Sequence, residues 1–378
     1  MNASYLESLG VELVDGVDVD IERRFRLFTF WDVFVARDGK RVVFFGDRHP
    51  EYRRHAISCV FDGGRLNVSA ESTAFETVPA SVLECDLPAN VQTLVLRSPS
   101  DRIESPAFNV TLLLERWRAV RPASPRKVVM WTMVLNQETL IVPWVEYHLM
   151  LGVEHFFVYD NGCEDETMER LAPLVARGVV TVFDWRIGDR YQHWGAVSWL
   201  YTQMAAMNHF LVRFGAESGE WVGMFDVDEF VFFPGAADDS IGALLARSPQ
   251  WDDCAGVALR CRFFGGQRTK LLPEDFLPRA MQRAEADVEK QGYEKVFVRP
   301  RRIQWRVNIH SLVRERLCFC DAHADAHVQH YWWNRPRPNA TTPENALWQR
   351  YGDRLLRAVD PTALRRSSKA QTQHFSQR

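Results

Sequence analysis

The sequence predicts two folded parts, an all-β, sandwich-like domain followed by an α/β domain with a Rossmann-like, mostly parallel sheet. Three observations support this prediction. The chain has 378 residues, enough for two or three domains of about 150 residues each. Its composition, 46% apolar and 25% charged, is ordinary for a soluble globular protein. Short β-prone runs fill residues 22–120, whereas strands and helices alternate from residue 127 onward.

The first part of the chain is rich in short β-prone runs, which are separated by turn sequences such as Asp38-Gly39 and Asp62-Gly63-Gly64. The runs cover residues 25–30, 41–45, 56–61, 92–96 and 108–114. Strands at such spacing are typical of a β-sandwich or a small barrel. We therefore expect a β-rich domain over residues 22–120, with residues 1–21 as an N-terminal tail and the Pro-containing segment 121–126 as a linker.

The second part alternates between apolar strand patterns and helical periodicity. Strands are predicted over residues 128–135, 154–159, 179–183 and 221–225, and helices over 139–151, 165–176 and 194–214. Such alternation predicts a parallel sheet with right-handed crossovers, which binds ligands beyond the carboxyl ends of its strands. We expect this domain to span residues 127–335, and residues 336–378 to form a basic, helical C-terminal extension.

Charge and composition narrow the class of partner and the compartment. Lys plus Arg is 46 and Asp plus Glu is 49, a net charge of −3, which disfavours nucleic acid as a partner. No run approaches the roughly 18 apolar residues of a membrane span, and the N-terminus has no signal-like apolar segment. Seven cysteines are an odd and sparse set, so no disulfide scaffold is expected. These features predict a soluble, cytoplasmic protein.

Polar side chains follow each predicted strand of the α/β domain. Asn136 and Glu138 follow the first strand, Asp160 and Asn161 the second, and Asp226 with Asp228 the fourth. Two carboxylates one residue apart can jointly hold a hard divalent cation. The alternative is a pair of surface acids in a turn. The apolar sequence on both sides favours the cation, because acids buried there would otherwise be costly.

Missing motifs exclude several enzyme classes. The chain contains neither Gly-x-Gly-x-x-Gly nor a Gly-Lys-Ser/Thr phosphate loop, which argues against a dinucleotide oxidoreductase and a P-loop enzyme. A metal-dependent phosphohydrolase would carry its Asp-x-Asp after the first strand of the domain instead of the fourth. An enzyme that holds a diphosphate through a carboxylate-bound cation fits the pattern best.

A series of ordered segments resembles glycosyltransferase family 92, over about residues 127 to 335. The segments are Val134-Leu-Asn-Gln-Glu138, Trp144-Val-Glu-Tyr-His148, residues 151–161, Asn208-His209, residues 221–230, Lys295-Val-Phe-Val-Arg-Pro300, Val307-Asn-Ile-His310 and His330-Tyr331. The resemblance implies a GT-A fold and an inverting transferase. It also implies that a sugar, typically galactose, moves from a UDP-sugar to a hydroxyl of a glycan or glycoprotein acceptor with Mn²⁺ as cofactor.

The same resemblance implies a compartment and an origin for the first domain. Family members work in the Golgi lumen, which is the alternative to the cytoplasm. Plant β-1,4-galactan synthases of the family carry a β-rich domain before the catalytic one, similar in placement to residues 22–120. The rival functional hypothesis is a catalytically silent carbohydrate-binding protein that retains the GT-A fold.

The resemblance also assigns roles to individual residues. The nucleotide-sugar would be bound by Asn136, Glu138, Asp160, Asn161, Gln203 and Asp226. The metal ligands would be Asp226, Asp228 and a late histidine, for which His310 is preferred and His330 is the alternate. Two of these residues have structural alternatives: Asp160 as the acid of an Asx-turn, and Glu138 as a first-turn helix acid.

An inverting transfer needs a carboxylate that takes the proton from the acceptor hydroxyl. Glu274 and Asp275 lie where GT-A enzymes often carry an acidic pair, although charge at a helix N-terminus explains them as well. Glu294 is the next candidate for the base.

Overall fold

The computed structural model describes most of the chain. The described residues are 28–36, 38–48, 56–74, 81–98, 103–105, 107–119, 126–186, 199–235, 240–247, 249–265, 276–285, 292–303, 308, 310–312, 314–332, 339–340 and 342–359. The chain divides into two compact units. Unit 1 comprises Met1–Ser124 and Ile187–Glu217, and unit 2 comprises Pro125–Arg186 and Ser218–Arg378.

The described residues form strands and helices of both units. The strands are β1 (Phe28–Val35), β2 (Arg41–Arg48), β3 (Ser58–Phe61), β4 (Leu66–Ser69), β5 (Glu71–Ala74), β6 (Ser81–Asp86), β7 (Thr93–Ser98), β8 (Ile103–Glu104), β9 (Phe108–Asn109), β10 (Arg126–Val134), β11 (His155–Asp160), β12 (Val180–Asp184), β13 (Gly219–Met224), β14 (Glu229–Phe232), β15 (Gly256–Leu259), β16 (Cys261–Phe264), β17 (Arg283–Ala284), β18 (Lys295–Val298), β19 (Leu317–Phe319), β20 (His327–Tyr331) and β21 (Thr342–Pro343). The helices are α1 (Val110–Ala119), α2 (Ile141–Met150), α3 (Thr167–Ala176), α4 (Trp199–Phe210), α5 (Ile241–Leu245), α6 (Leu277–Ala280) and α7 (Ala346–Val359).

Unit 1 contains two four-stranded antiparallel sheets, β1-β2-β6-β5 and β4-β3-β7-β8, with β9 beside β7. Alternate residues of both sheets, such as Phe44 and Leu94, are buried in one apolar core. A disulfide between Cys59 on β3 and Cys85 on β6 joins the two sheets. Unit 1 also includes α1 and α4, so it is not built from strands alone.

The predicted strand over residues 108–114 is wrong beyond its first two residues. The helix α1 begins at Val110, and Asn109 Oδ1 accepts a hydrogen bond from the N–H of Leu112 at 3.0 Å. A side-chain acceptor of this kind satisfies a backbone donor in the first turn of a helix. The leucine-rich run that follows is a good helix former, so the cap decides its conformation.

The helix predicted over residues 194–214 belongs to unit 1 by its contacts, although its sequence lies inside the predicted 127–335 domain. Residues 199–210 form α4, which continues into a π-helical turn over Leu211–Gly215. His209 Nε2 lies 2.8 Å from the carboxylate of Asp32 on β1, and Arg213 forms an ion pair with the same carboxylate. Residues separated by most of the N-terminal half of the chain are thus packed together.

Unit 2 is built on a seven-stranded sheet with the order β12-β11-β10-β13-β18-β15-β19. The strands β10 to β13 are mutually parallel, as predicted, and β18 runs antiparallel to both of its neighbours. Val134, Asp160 and Asp184 lie in register, so the carboxyl ends of β10, β11 and β12 form one edge. A Cβ at Gly223 would approach the ring of Phe297 to 2.6 Å, so glycine permits the close pairing of β13 and β18.

A second, five-stranded sheet of unit 2 has the order β14-β20-β16-β17-β21. Both sheets share a core with α2, α3 and α7. The tyrosine rings of Tyr147 on α2 and Tyr351 on α7 meet edge to face with their centroids 5.4 Å apart. The expected C-terminal helix therefore packs on unit 2, and residues 360–378 lie outside the described residues.

The expectation that the cysteines form no disulfide framework is wrong. Besides Cys59–Cys85, the structure pairs Cys254 with Cys318 on the edge strand β19, across 64 residues of sequence. Spacing along the chain does not report which cysteines the sheets bring together, which is why the sparse pattern misled. Among the helices that the structure describes, none has both the length and the apolar character of a membrane span.

Candidate functional site

The site lies where β13 ends and the chain turns into β14. Asp226 and Asp228 occupy that turn, and Glu229 is the first residue of β14. The antiparallel strand β18 places Lys295 beside the end of β13, because Met224 pairs with Val296. The strand β20 pairs with β14 so that His330 lies directly opposite Glu229. Two strand pairings and the turn between β13 and β14 therefore bring five ionisable side chains into one cluster.

Glu229 is at the centre of this cluster, and its side chain is fully buried. Its Oε2 accepts a hydrogen bond from the N–H of Asp226 at 2.9 Å, and its Oε1 lies 3.0 Å from Lys295 Nζ. The same Lys295 Nζ donates to Asp226 Oδ2 at 2.7 Å. The indole N–H of Trp144 donates to the backbone oxygen of Glu229 at 2.9 Å, which fixes the start of β14.

His330 faces two carboxylates with its two ring nitrogens. Its Nδ1 lies 3.3 Å from Glu229 Oε1, and its Nε2 lies 3.7 Å from Asp228 Oδ2. The ring of Trp332 stacks on His330 with the centroids 5.5 Å apart. The backbone also keeps Asp228 and His330 close together, since the N–H of Tyr331 donates to the backbone oxygen of Asp228 at 2.9 Å. Asp228 and His330 are only partly buried, so the cluster opens outward on their side.

Burial and mutual charge shift the pKa values of this cluster. Burial raises the pKa of Glu229 to about 7, and the ammonium of Lys295 opposes that rise. Burial alone would lower the pKa of His330, but the carboxylates of Asp228 and Glu229 outweigh it and raise the pKa. Burial also disfavours the charged form of Lys295, yet Asp226 and Glu229 raise its pKa.

Asp228, Glu229 and His330 have ligand atoms within 4.8 Å of one another. Carboxylate oxygens and an imidazole nitrogen suit Mn²⁺ and similar divalent cations. Of the two predicted histidines, His330 is the one beside Asp228. His310 is not one of these three residues: its Nδ1 is 2.9 Å from the backbone oxygen of Glu294, and burial, followed by the charge of Lys295, lowers its pKa.

Four of the six residues predicted to bind the nucleotide lie at the end of β11 or in the loops that follow β10 and β11. Asn136 has a φ of +54°, a left-handed conformation that asparagine tolerates, and its Oδ1 accepts from the N–H of Glu164 at 2.8 Å. Asp160 Oδ1 accepts from the N–H groups of Gly162 and Cys163 at 3.0 and 2.8 Å, which is the Asx-turn alternative.

Two further residues of these loops have distinct surroundings. Glu138 Oε2 accepts from the N–H of Glu166, at the start of α3, at 3.2 Å. This carboxylate therefore caps a neighbouring helix instead of lying in the first turn of α2. The side-chain oxygen of Asn161 is buried and makes no hydrogen bond with the described residues. A buried acceptor of this kind is expected to have a partner in the working protein.

The remaining predicted residues are placed elsewhere or lie outside the described residues. Gln203 is buried on α4 in unit 1. Glu274 and Asp275 lie outside the described residues. Glu294 is described and buried, and its carboxylate accepts from the N–H of Gly292 at 2.9 Å.

Sequence reasoning missed the central pair of the cluster. Lys295 was named only as the first residue of a matched segment, but its side chain is only 2% exposed and bridges two acids. Glu229 was not singled out, although it follows the Asp-x-Asp directly. Their apolar neighbours were the available signal, because a charged residue inside an apolar strand run needs a partner when the strand is buried.

A family model described as "Glycosyltransferase family 92" matches residues 130–331 of the chain. A family 92 protein of Ricinus communis is 29% identical over 261 residues, which cover 64% of this chain and 45% of that protein. A galactan beta-1,4-galactosyltransferase of Arabidopsis thaliana is 32% identical over 105 residues, covering 27% of this chain and 19% of that protein. The chain thus spans less than half the length of these curated relatives.

Among solved structures, a glucosyl-3-phosphoglycerate synthase from Mycobacterium tuberculosis in complex with Mn²⁺, UDP and glucosyl-3-phosphoglycerate is similar to this chain. The two are 20% identical, the match covers 50% of this chain and 60% of that chain, and the TM-score is 0.25. The family model matches residues 130–331, which make up more than half of the 378 residues. The chain belongs to glycosyltransferase family 92.

Proposed function

We propose that this protein is a metal-dependent, inverting glycosyltransferase that moves galactose from UDP-galactose to a hydroxyl of a glycan acceptor. The proposal depends mainly on one observation. Asp228 and His330 lie side by side at the end of β13, and the buried carboxylate of Glu229 lies next to the other ring nitrogen of His330. Membership of family 92 supplies the reaction class.

Asp228 and His330 are the proposed metal ligands, with Asp226 beside them. The orientation of the imidazole fits this assignment, because Nδ1 faces Glu229 and leaves Nε2 directed towards Asp228. Oxygen and nitrogen donors in this combination suit Mn²⁺. A bound divalent cation would neutralise charge on the diphosphate of the leaving UDP. Asp226 is held by Lys295, so its carboxylate is oriented before any ligand arrives.

The loops after β10 and β11 are the proposed site for the nucleoside part of the donor. They lie at the carboxyl edge of parallel strands, where ligands bind in open α/β sheets. The buried oxygen of Asn161, which accepts no hydrogen bond from the described residues, is an acceptor that a donor group of the nucleotide would satisfy. Asn136, Glu138 and Asp160 would shape the loops through their hydrogen bonds to the backbone.

Galactose and a glycan acceptor are proposed from a relative. The matched Arabidopsis thaliana protein is named a galactan beta-1,4-galactosyltransferase, which gives both a donated sugar and an acceptor class. Inversion requires a single displacement, with one carboxylate acting as general base on the acceptor hydroxyl. Glu274 and Asp275 remain the proposed candidates for that base.

The two disulfides bear on the compartment. Disulfides form and persist in oxidising compartments, and the structure has one in each unit. We therefore propose that the chain works in an oxidising compartment, of which the Golgi lumen expected from the family is one, instead of in the cytoplasm.

A screen of UDP-sugars tests the proposal. UDP-galactose, UDP-glucose and other UDP-sugars are incubated with the full chain and a β-galactan oligosaccharide, with Mn²⁺ and then with EDTA. We expect transfer from UDP-galactose with Mn²⁺, loss of transfer with EDTA, and an inverted anomeric configuration in the product by NMR. Transfer that is indifferent to EDTA would refute the metal assignment. Binding of UDP-galactose or glycan with no transfer from any donor would favour the catalytically silent alternative.

A further inference from the structure

Glu229 occupies a position where an ionisable side chain is costly. It is the first residue of β14, its side chain is fully buried, and Phe230 and Val231 continue an apolar strand behind it. Burying a carboxylate and an ammonium together costs several kcal/mol of desolvation per ion, and the mutual attraction offsets this cost only when the geometry is good. A pair of apolar residues would fill such a place as well, so stability alone gives no reason for this pair.

The two carboxylate oxygens of Glu229 contact different partners. Oε2 accepts from the N–H of Asp226, within the turn that carries both aspartates. Oε1 faces Lys295 Nζ at 3.0 Å and His330 Nδ1 at 3.3 Å. Both Glu229 Oε1 and His330 Nδ1 are buried, and neither makes a hydrogen bond with any described residue, the other included. Because the two atoms lie 3.3 Å apart, a small rotation of the imidazole is enough for Nδ1–H to donate to Oε1.

This arrangement selects one form of the imidazole. A neutral histidine carries one N–H, and the nitrogen without it has a lone pair. When Nδ1–H points at the carboxylate of Glu229, the lone pair is on Nε2, the nitrogen that lies 3.7 Å from Asp228 Oδ2. Metal-binding histidines generally donate their other N–H to a carboxylate or carbonyl, which fixes the ring and raises its basicity as a ligand.

We propose that Glu229 is a positioning residue that holds His330 with Nδ1 protonated and Nε2 aimed towards Asp228, and that Lys295 balances the charge of Glu229 while it orients Asp226. This inference rests on the proposed function, because it concerns ligands of the metal in that proposal. Glu229 itself is not a metal ligand in this assignment. One buried carboxylate thus connects the aspartate turn, the lysine and the histidine of the site.

The first test measures binding of Mn²⁺ alone to the full chain, by electron paramagnetic resonance of free Mn²⁺. Glu229→Gln should weaken Mn²⁺ binding by ~10–100-fold, the usual effect of removing an outer-shell carboxylate. Asp228→Asn should remove binding at the site. The matched control is Glu146→Gln, which alters another well-buried glutamate with an arginine partner, away from this cluster. That variant should bind Mn²⁺ like the wild type.

A double variant separates positioning from charge balance. Glu229→Gln leaves Lys295 with one acid fewer, and this loss can destabilise the fold by itself. Glu229→Gln combined with Lys295→Met removes both buried charges. We expect the double variant to regain thermal stability relative to Glu229→Gln and to keep the weakened Mn²⁺ affinity. Recovery of wild-type affinity in the double variant would overturn the positioning role.

The tautomer of His330 gives a readout on the wild-type protein itself. With ¹⁵N-labelled histidine, the ring-nitrogen chemical shifts of metal-free wild type at alkaline pH should report the Nδ1–H tautomer for His330, assigned by comparison with His330→Gln. An Nε2–H tautomer would overturn the inference even if the metal binds. Conversely, wild type that binds no Mn²⁺ would refute the metal proposal, whereas equal Mn²⁺ affinity of wild type and Glu229→Gln would refute the inference alone.

Discussion

Each unit of the molecule contains a buried cluster of charged side chains, and the two clusters differ in their balance. In unit 1, the carboxylate of Asp32 meets both His209 and Arg213, and the rings of Phe34, Phe45 and Phe214 surround His209. In unit 2, three carboxylates of one turn face Lys295 and His330.

The comparison shows that buried ionisable side chains do not by themselves indicate a functional site. The numbers of acidic and basic side chains in the cluster must also be compared. Among the described side chains, the unit 1 cluster has one acid, Asp32, which pairs with Arg213 and His209. Burial lowers the pKa of His209 to about 3, so this histidine is neutral, and aromatic rings enclose it. The unit 2 cluster, as far as the described side chains go, has more acids than bases, and its surplus lies on the partly exposed side of Asp226 and Asp228. A surplus of carboxylates at the edge of a sheet suits the binding of a cation. An acid whose charge is already balanced by a basic side chain suits a structural role.

The largest expected effect is the loss of sugar transfer when one of the surplus carboxylates of the unit 2 cluster is removed. Asp228→Asn should lower sugar transfer by ~10³-fold, which corresponds to about 4 kcal/mol of transition-state stabilisation lost with the metal. The melting temperature should stay close to that of the wild type, because the side chain serves the site and not the core. The control is Asp253→Asn, an exposed acid beside Arg316. Transfer at the wild-type rate by Asp228→Asn would contradict the comparison on which this prediction rests.

The next largest expected effect is the loss of stability when either disulfide is removed. One disulfide lies in each unit. Replacing Cys59 and Cys85 together by alanine, or Cys254 and Cys318 together, should each lower the free energy of unfolding by about 3 kcal/mol. Denaturant titration measures this loss. Alkylation of the denatured, unreduced chain should modify three of the seven cysteines, namely Cys163, Cys261 and Cys320. Seven modified cysteines would mean that neither disulfide forms.

A smaller effect is expected from the unit 1 cluster. Asp32→Ala removes the acid shared by His209 and Arg213 and should lower the free energy of unfolding by about 2 kcal/mol, since Arg213 keeps partial access to water. Affinity for Mn²⁺ should not change. Glu104→Ala, which breaks the exposed pair with Arg97, should change stability by less than about 1 kcal/mol. A loss of Mn²⁺ affinity in Asp32→Ala would mean that the unit 1 cluster is not purely structural.

The smallest expected effect concerns His148. This histidine is buried, and its pKa, unlike that of His330, is not raised by neighbouring carboxylates. Burial lowers the pKa of His148 to about 3, and its Nδ1 and Nε2 lie near the oxygen of Trp144 and the N–H of Val231. As pH falls below about 6.5, the unfolded chain takes up a proton at His148 and the folded chain does not. The stability contributed by neutral His148 is therefore complete above pH 6.5 and is lost as pH falls towards 3.

Between pH 6.5 and 5.5 this loss should be about 1 kcal/mol. Urea unfolding at the two pH values measures it. His148→Gln should reduce the pH dependence, whereas His323→Gln, at an exposed position, should leave it unchanged. An equal pH dependence in wild type and His148→Gln would show that His148 is already charged in the folded protein.

The sequence was informative where one pattern decided the structure. The apolar runs that became β10, β11 and β13 predicted their strands within two residues, and the polar residues after them predicted the edge that carries the site. The pairing of partners far apart in sequence was not predictable. Lys295 joins Asp226 across 69 residues, and its apolar neighbours indicate that it is buried with a partner but not which acid that partner is.

Other features could not be read from the sequence for the same physical reason. The sequence analysis prefers His310 to His330 as metal ligand, and no local pattern reports the pairing of β20 with β14 that brings His330 opposite Glu229. The cysteine partners likewise depend on which strands become neighbours. At residues 108–114 the apolar run suited either a strand or a helix, and the cap by Asn109 decided it. Tertiary pairing and capping, more than composition, account for what the sequence left open.

The segment Ile187–Glu217 is packed with unit 1, although its sequence lies between β12 and β13 of the unit 2 sheet. Neither unit is therefore a continuous stretch of the chain. During synthesis, unit 1 waits for Glu217 to emerge, and β13, which β10 needs as a neighbour, begins two residues later at Gly219. Unit 2 therefore completes its folding after unit 1, because β14 to β21 come later in the chain. A polypeptide shortened to begin at Arg126 would carry α4 without the strands whose rings enclose His209.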